Sequence, residues 1–225
     1  MGLGTNDRNF ITRLKIGTRT DEKGKYHAVI GMRCKPETPG ARPILKADGT
    51  HVSNSKTGEL LYRLEFDFVS GNIIAMARAE DEWGKYLDVT ISDGADTFAL
   101  RLDRGDRYWT DFLMRLPTLD LSKSVTITPY NFKNDEGKTT QGVAMKQNGV
   151  KIERAWNKGN DYAGGPPQAE FDEDEQEWKF GKRNRWLDEN VVDKVIATLG
   201  SVVNVAAKGA IADGAAQGED DDLPF

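Results

Sequence analysis

Apolar and polar side chains alternate through most of the first 150 residues. Phe10, Thr12, Leu14 and Ile16 fall on one side and Ile11, Arg13 and Lys15 on the other, the period of a strand. Thr20 to Gly24 has turn composition. Tyr26, Ala28, Ile30, Met32 and Cys34 then alternate with His27, Val29, Gly31, Arg33 and Lys35, which predicts a hairpin with one basic face. Residues 36 to 58 hold three Pro and three Gly and read as a long loop, a length that usually carries function or disorder. Leu60 to Val69 is the clearest strand, with Leu60, Tyr62, Leu64, Phe66 and Phe68 on one face and Leu61, Arg63, Glu65 and Asp67 on the other. After Ser70 to Asn72, Ile73 to Ala79 pairs back. Leu87, Val89 and Ile91 point inward from the next strand, Asp93-Gly94 turns the chain, and Phe98, Leu100 and Leu102 continue inward.

The period then changes. Tyr108, Trp109, Phe112, Leu113 and Leu116 recur at helical spacing, with Asp106 placed to cap the helix and Pro117 placed to stop it. Val125 to Phe132 and Val143 to Met145 return to strand character, and Asn148-Gly149 is the strongest hairpin signal in the chain. About seven short antiparallel strands with one interposed helix predict a mostly β fold, an OB-fold-like Greek-key barrel over residues 1–160. A β-sandwich is the runner-up. Residues 161–186 read as a linker, with Gly164 to Pro167, an acidic run and the basic-aromatic stretch Trp178 to Trp186. Val191, Val192, Val195, Ile196, Leu199, Val202 and Val203 predict a helix over 187–205 that packs on the barrel or on a second subunit.

Charge changes the picture of the C-terminal end. Residues 1–169 carry 25 Lys and Arg against 22 Asp and Glu, a net of +3, although the whole chain is at −5. Six acids lie between Glu170 and Glu177 and five more from Asp213 onward. A mildly basic body with an acidic end suggests a nucleic-acid-binding core whose tail competes for the same groove. Residues 206–225 are mostly Ala and Gly before Glu219-Asp-Asp-Asp-Leu-Pro-Phe225, a composition expected to stay mobile and to offer a partner a charged, apolar-tipped hook. The single Cys34 and two His make a disulfide or a Cys/His zinc site an unpromising expectation, and the chain reads as cytoplasmic, with no cofactor.

The run Asp220-Asp-Asp-Leu-Pro-Phe225 resembles the C-terminal tip of bacterial and phage single-stranded DNA-binding proteins. Gly84-Lys-Tyr-Leu-Asp-Val-Thr-Ile-Ser-Asp-Gly94, Thr128-Pro-Tyr-Asn-Phe-Lys-Asn-Asp-Glu-Gly-Lys138 and Gln147-Asn-Gly149 are similar to phage-encoded OB-fold members of that family. The resemblance implies a non-enzymatic protein of phage replication, recombination or repair in a bacterial host cell. It coats single-stranded DNA and recruits a polymerase, helicase, primase or nuclease through Asp220, Asp221, Asp222, Leu223, Pro224 and Phe225.

Single strands are held by cationic grooves and by aromatic faces on which bases stack. The residue types and faces that fit are Arg13, Lys15, Arg33, Lys35, Arg63, Tyr86, Tyr130, Phe132, Lys133 and Lys146. Tyr130 and Phe132 share a face with Thr126 and Thr128 unless Pro129 marks a bulge, which would turn both rings into the core. Two other classes compete. One is an annealing oligomer built through the Val191 to Val203 stripe. The other is a metal-dependent nuclease using Glu65, Asp67, Asp81 or Glu82, which are solvated outer-face or turn acids in this reading.

Overall fold

The computed structural model describes residues 11–20, 26–46, 49–55, 57–133, 137–157, 159 and 161–203. The chain is mostly β. Ten strands form one mixed sheet: β1 (Thr12–Thr20), β2 (Tyr26–Cys34), β3 (Arg42–Pro43), β4 (Tyr62–Phe66), β5 (Val69–Asp81), β6 (Gly84–Ser92), β7 (Thr97–Asp103), β8 (Val125–Lys133), β9 (Thr139–Gln147) and β10 (Val150–Ile152). Their order across the sheet is β10-β9-β8-β5-β6-β7-β1-β2-β4-β3. Phe10 and the tail residues Asp220 to Phe225 lie outside the described residues.

Two features correct the all-antiparallel closed barrel. β1 runs parallel to β7, with Leu14 opposite Leu100, because the β5-β6-β7 meander delivers β7 in the direction of β1. The sheet is also not closed: β2 and β8 come side by side with no ladder between them among the described residues.

Alternation decides the core where the strands are regular. Ile30, Val89, Ile91, Leu100, Ile127 and Met145 are fully buried on the concave face of the sheet. Each such side chain contributes about 1.5–3 kcal/mol by leaving water. The α-helix α1 (Arg107–Arg115) covers one end of that core with Trp109, Phe112 and Leu113. Its start follows the sequence: the Asp106 carboxylate accepts from the Trp109 amide at 2.5 Å. Pro117 sits in the short 3₁₀ turn that ends it. At Asn148-Gly149 both residues take positive φ, 50° and 78°, the geometry a two-residue hairpin turn requires.

Leu60 to Val69 is not one strand. β4 ends at Phe66, which pairs with Ile30 of β2, and Val69 already pairs with Ile127 of β8. Asp67 and Phe68 therefore carry the chain across the gap between the two flanks. The face expected inward is open there, with Leu60, Phe66 and Phe68 each more than 40% exposed. The described residues between 36 and 61 form more than a plain loop. Ile44, Val52 and Leu61 exchange backbone hydrogen bonds and bury one another in a small cluster of their own.

The linker region holds a short hairpin, β11 (Glu170–Asp172) with β12 (Glu177–Lys179), on which Phe171 and Trp178 face each other at 5.3 Å. A helical stretch follows without interruption: α2 (Gly181–Leu187), a π-helical turn over Asp188–Val192, and α3 (Asp193–Val203). Leu187, Val191, Val192 and Leu199 join the main core, and α3 lies against β5 of the same chain. Val191, Val192 and Leu199 of the apolar stripe are thus buried within one chain, with Val195 and Ile196 partly buried against the same core. Arg78 holds the π turn in place through the Asp188 carbonyl at 2.9 Å and the Asp193 carboxylate at 2.5 Å, and Arg104 pairs with Asp188 at 2.7 Å. No helix among the described residues is long and apolar enough to cross a membrane.

Candidate nucleic-acid interface

Strand order brings together cations that are far apart in sequence. On the convex face, Lys15 lies opposite Gly31 of β2 and Arg101 of β7, Arg33 lies opposite Arg63, and Arg63 lies opposite Arg42. Arg13 and Arg19 share the β1 face with Lys15 by alternation. Seven cations (Arg13, Lys15, Arg19, Arg33, Arg42, Arg63 and Arg101) therefore share this face with four carboxylates (Glu65, Asp81, Asp88 and Asp103).

Arg63 is the anchor of the cluster and is buried. It reaches Glu65 from Nε at 3.0 Å and from Nη2 at 2.9 Å, and Nη2 also donates to the Thr18 carbonyl at 2.7 Å. Its side chain lies flat over Gly17 and Gly31. A Cβ at Gly17 would sit 2.6 Å from Nη1, and one at Gly31 would sit 3.1 Å from Cδ. Glu65 also draws Arg19 at 3.4 Å and Arg42 at 3.7 Å, whose side chains remain 35% and 61% exposed. One carboxylate thus organises three guanidinium groups and leaves two of them facing solvent.

Beside this cluster, the Arg101 guanidinium stacks on the Tyr86 ring at 3.5 Å and pairs with Asp81 at 2.9 Å and Asp88 at 3.7 Å. Burial pushes the Asp88 carboxyl up, and Arg101 and Arg13 pull it back down. Lys15 pairs with Asp103 at 3.4 Å, Arg13 is exposed, and Lys35 is exposed just past the end of β2. Of the acids considered for a nuclease, Glu65 and Asp81 are thus held by arginines. No group of three or more His, Cys, Asp or Glu side chains gathers as a metal site among the described residues.

The remaining candidates form a second group on β8 and β9. β8 has continuous register from Thr126 to Lys133, so Pro129 causes no bulge. Tyr130 is nonetheless half-buried, because its hydroxyl donates to Asp111 of α1 at 2.9 Å. Phe132, 5.8 Å from the Tyr130 ring, is 47% exposed. Lys146 is exposed opposite Thr126, while Lys133 is exposed on the other face of β8 from Phe132.

The sequence reading missed Arg19, Arg42 and Arg101. Arg19 was within reach of it, being two steps of alternation beyond Lys15. Arg42 was not, because only the β3–β4 pairing puts it on this face. No family model, no curated protein and no solved structure matches the chain.

Proposed function

We propose that the protein binds single-stranded DNA along the convex face of β6-β7-β1-β2-β4, in the manner of an OB-fold-like barrel. The observation that carries this reading is the surplus of seven cations over four carboxylates that strands β1 to β7 bring to one face of the sheet. Arg19 and Arg42 lie 3.4 and 3.7 Å from Glu65 with 35% and 61% of their side chains exposed, and Glu65 keeps Arg63 at 2.9 Å, so both can turn to a phosphate without stranding the carboxylate. Arg63, buried and bonded three ways, keeps the platform rigid while they do so. Phe132, exposed on β8 on the side away from the core, supplies flat apolar surface of the kind on which bases stack.

The protein is not an enzyme in this reading. It coats single strands during replication, recombination or repair in the bacterial cytoplasm. The acidic run Glu219 to Asp222 with Leu223, Pro224 and Phe225 supplies the charge and ring by which a replication or repair protein is captured.

The test is binding of fluorescent oligo-dT across a salt series. Affinity falls with salt, with a slope of about −0.7 per phosphate neutralised on a single strand. Arg13→Gln and Arg42→Gln each weaken binding at every sequence and flatten that slope. Absence of binding to oligo-dT at low salt overturns the reading.

A further inference from the structure

A cavity of about 680 Å³ lies between α1 and the stretch from Tyr162 to Arg183, away from the cluster around Glu65. Arg107, Arg154 and Arg183 line it, together with Thr110 and the rings of Tyr162 and Phe180. The carboxylates beside it are already engaged. Asp111 accepts from the Tyr130 hydroxyl and the Val143 amide, both at 2.9 Å, and pairs with Arg154 at 2.5 Å. Asp106 caps α1.

Arg183 has no such partner. It is half-buried, and no carboxylate pairs with it among the described residues. Its Nε is buried with no hydrogen-bond partner, and Nη2 reaches only the Thr110 hydroxyl, at 3.4 Å. Its guanidinium sits 4.6 Å above the Phe180 ring. A guanidinium removed from water without a counter-charge is costly, and a phosphate fits its planar fork. The volume suits a ligand of nucleotide size.

A second cavity, of about 440 Å³, is lined by Lys15 and Arg63 of the convex face, and Gln141 lines both cavities. The two cavities therefore neighbour each other at Gln141, with Lys15 and Arg63 lining one and Arg107 and Arg183 lining the other. We infer that the larger cavity seats one nucleotide of a single strand that continues off the sheet face, with its phosphate on Arg183 and Arg107 and its base against Phe180. This inference rests on the single-stranded DNA reading above.

The experiment compares oligo-dT of about 4 and about 16 nucleotides, the span of site sizes for one such fold, on the full-length protein and its Arg183→Gln and Arg107→Gln variants. Each variant is expected to lower affinity for the long strand by about 5–10-fold and to reduce its salt slope by about 0.7, leaving the short strand unchanged. Arg183→Lys keeps the salt slope. dTMP and inorganic phosphate serve as competitors. Failure of either at millimolar concentration to displace the long strand supports seating of a strand, and displacement from wild type but not from Arg183→Gln assigns the cavity to free nucleotide or phosphate instead and overturns the inference. Long-strand affinity and slope identical to wild type in folded Arg183→Gln overturn this inference alone. Wild-type protein that binds neither oligonucleotide overturns both readings.

Discussion

Glu65 and Asp111 are both carboxylates ringed by donors, and they do opposite things with them. Glu65 gathers Arg63, Arg19 and Arg42 at the edge of the sheet and leaves two guanidinium groups facing water. Asp111, 3% exposed, gathers Arg115 at 3.3 Å, Arg154, the Tyr130 hydroxyl and the Val143 amide, and most of that ring is interior. The difference is where the surplus charge ends up. Around Glu65 it is presented outward, where it can trade partners. Around Asp111 it is consumed in joining α1 to β8 and β9.

The largest effect expected from this contrast is on stability. Asp111→Ala strands a buried Arg115 and the Val143 amide, so it should cost about 3–5 kcal/mol in urea unfolding. Arg42→Gln, at the open end of the other ring, should change stability by less than about 0.5 kcal/mol. Equal costs for the two would erase the distinction.

Asp106 sharpens the comparison, because it is a half-buried carboxyl with no guanidinium paired to it among the described residues. Burial lifts its pKa from 3.8 to about 6. The protonated form therefore favours the fold. That contribution is complete below about pH 4 and is lost as the pH rises through about 6. Asp106→Asn keeps a neutral capping oxygen and should lose less stability than wild type between pH 4 and 7, by up to about 2–3 kcal/mol. Parallel stability curves for the two proteins would show that the carboxyl is not perturbed.

The smallest effect separates two neighbouring rings. Tyr130→Phe removes one donor from Asp111 and should cost about 1 kcal/mol of stability with oligo-dT affinity intact. Phe132→Ala should leave the melting temperature nearly unchanged and weaken oligo-dT by at least about 1 kcal/mol. A loss of DNA affinity in Tyr130→Phe would move that residue from the internal network to the binding surface.

Local order was legible wherever one short-range rule decided it. The Asp106 cap, the Pro117 stop, the Asn148-Gly149 turn and the alternation of Tyr26 to Cys34 all rest on contacts within a few residues. Leu60 to Val69 misled because its alternation is real but its strand is not continuous. The chain changes partner at Asp67 and Phe68, and no local pattern reports which strand comes next. Ile74, skipped by the register shift between Ile73 and Ala75, is a second case, since a bulge moves one side chain out of phase without a sequence mark. The convex face was half legible. Arg13, Lys15, Arg33, Arg63 and Tyr86 fall on it by alternation, but their meeting around Glu65 depends on the order β7-β1-β2-β4. The burial of Arg63 depends on Gly17 and Gly31 lying beneath it, a long-range fact.

The π turn over Asp188–Val192 sets the phase of everything after it. An α-helix advances about 100° per residue, and a π turn accommodates one residue more than the α repeat would. That extra residue lets Leu187 ahead of it and Leu199 beyond it face the same core, with Val191 and Val192 side by side between them. Deleting one residue from the turn would leave a regular helix of nearly the same length and composition, with its second half rotated by about a quarter turn. Leu199 would swing off β5, and Asp193 would leave Arg78. The helix would still form, but it would no longer fit, so the reading frame of this segment is set by a count of residues as much as by their identities.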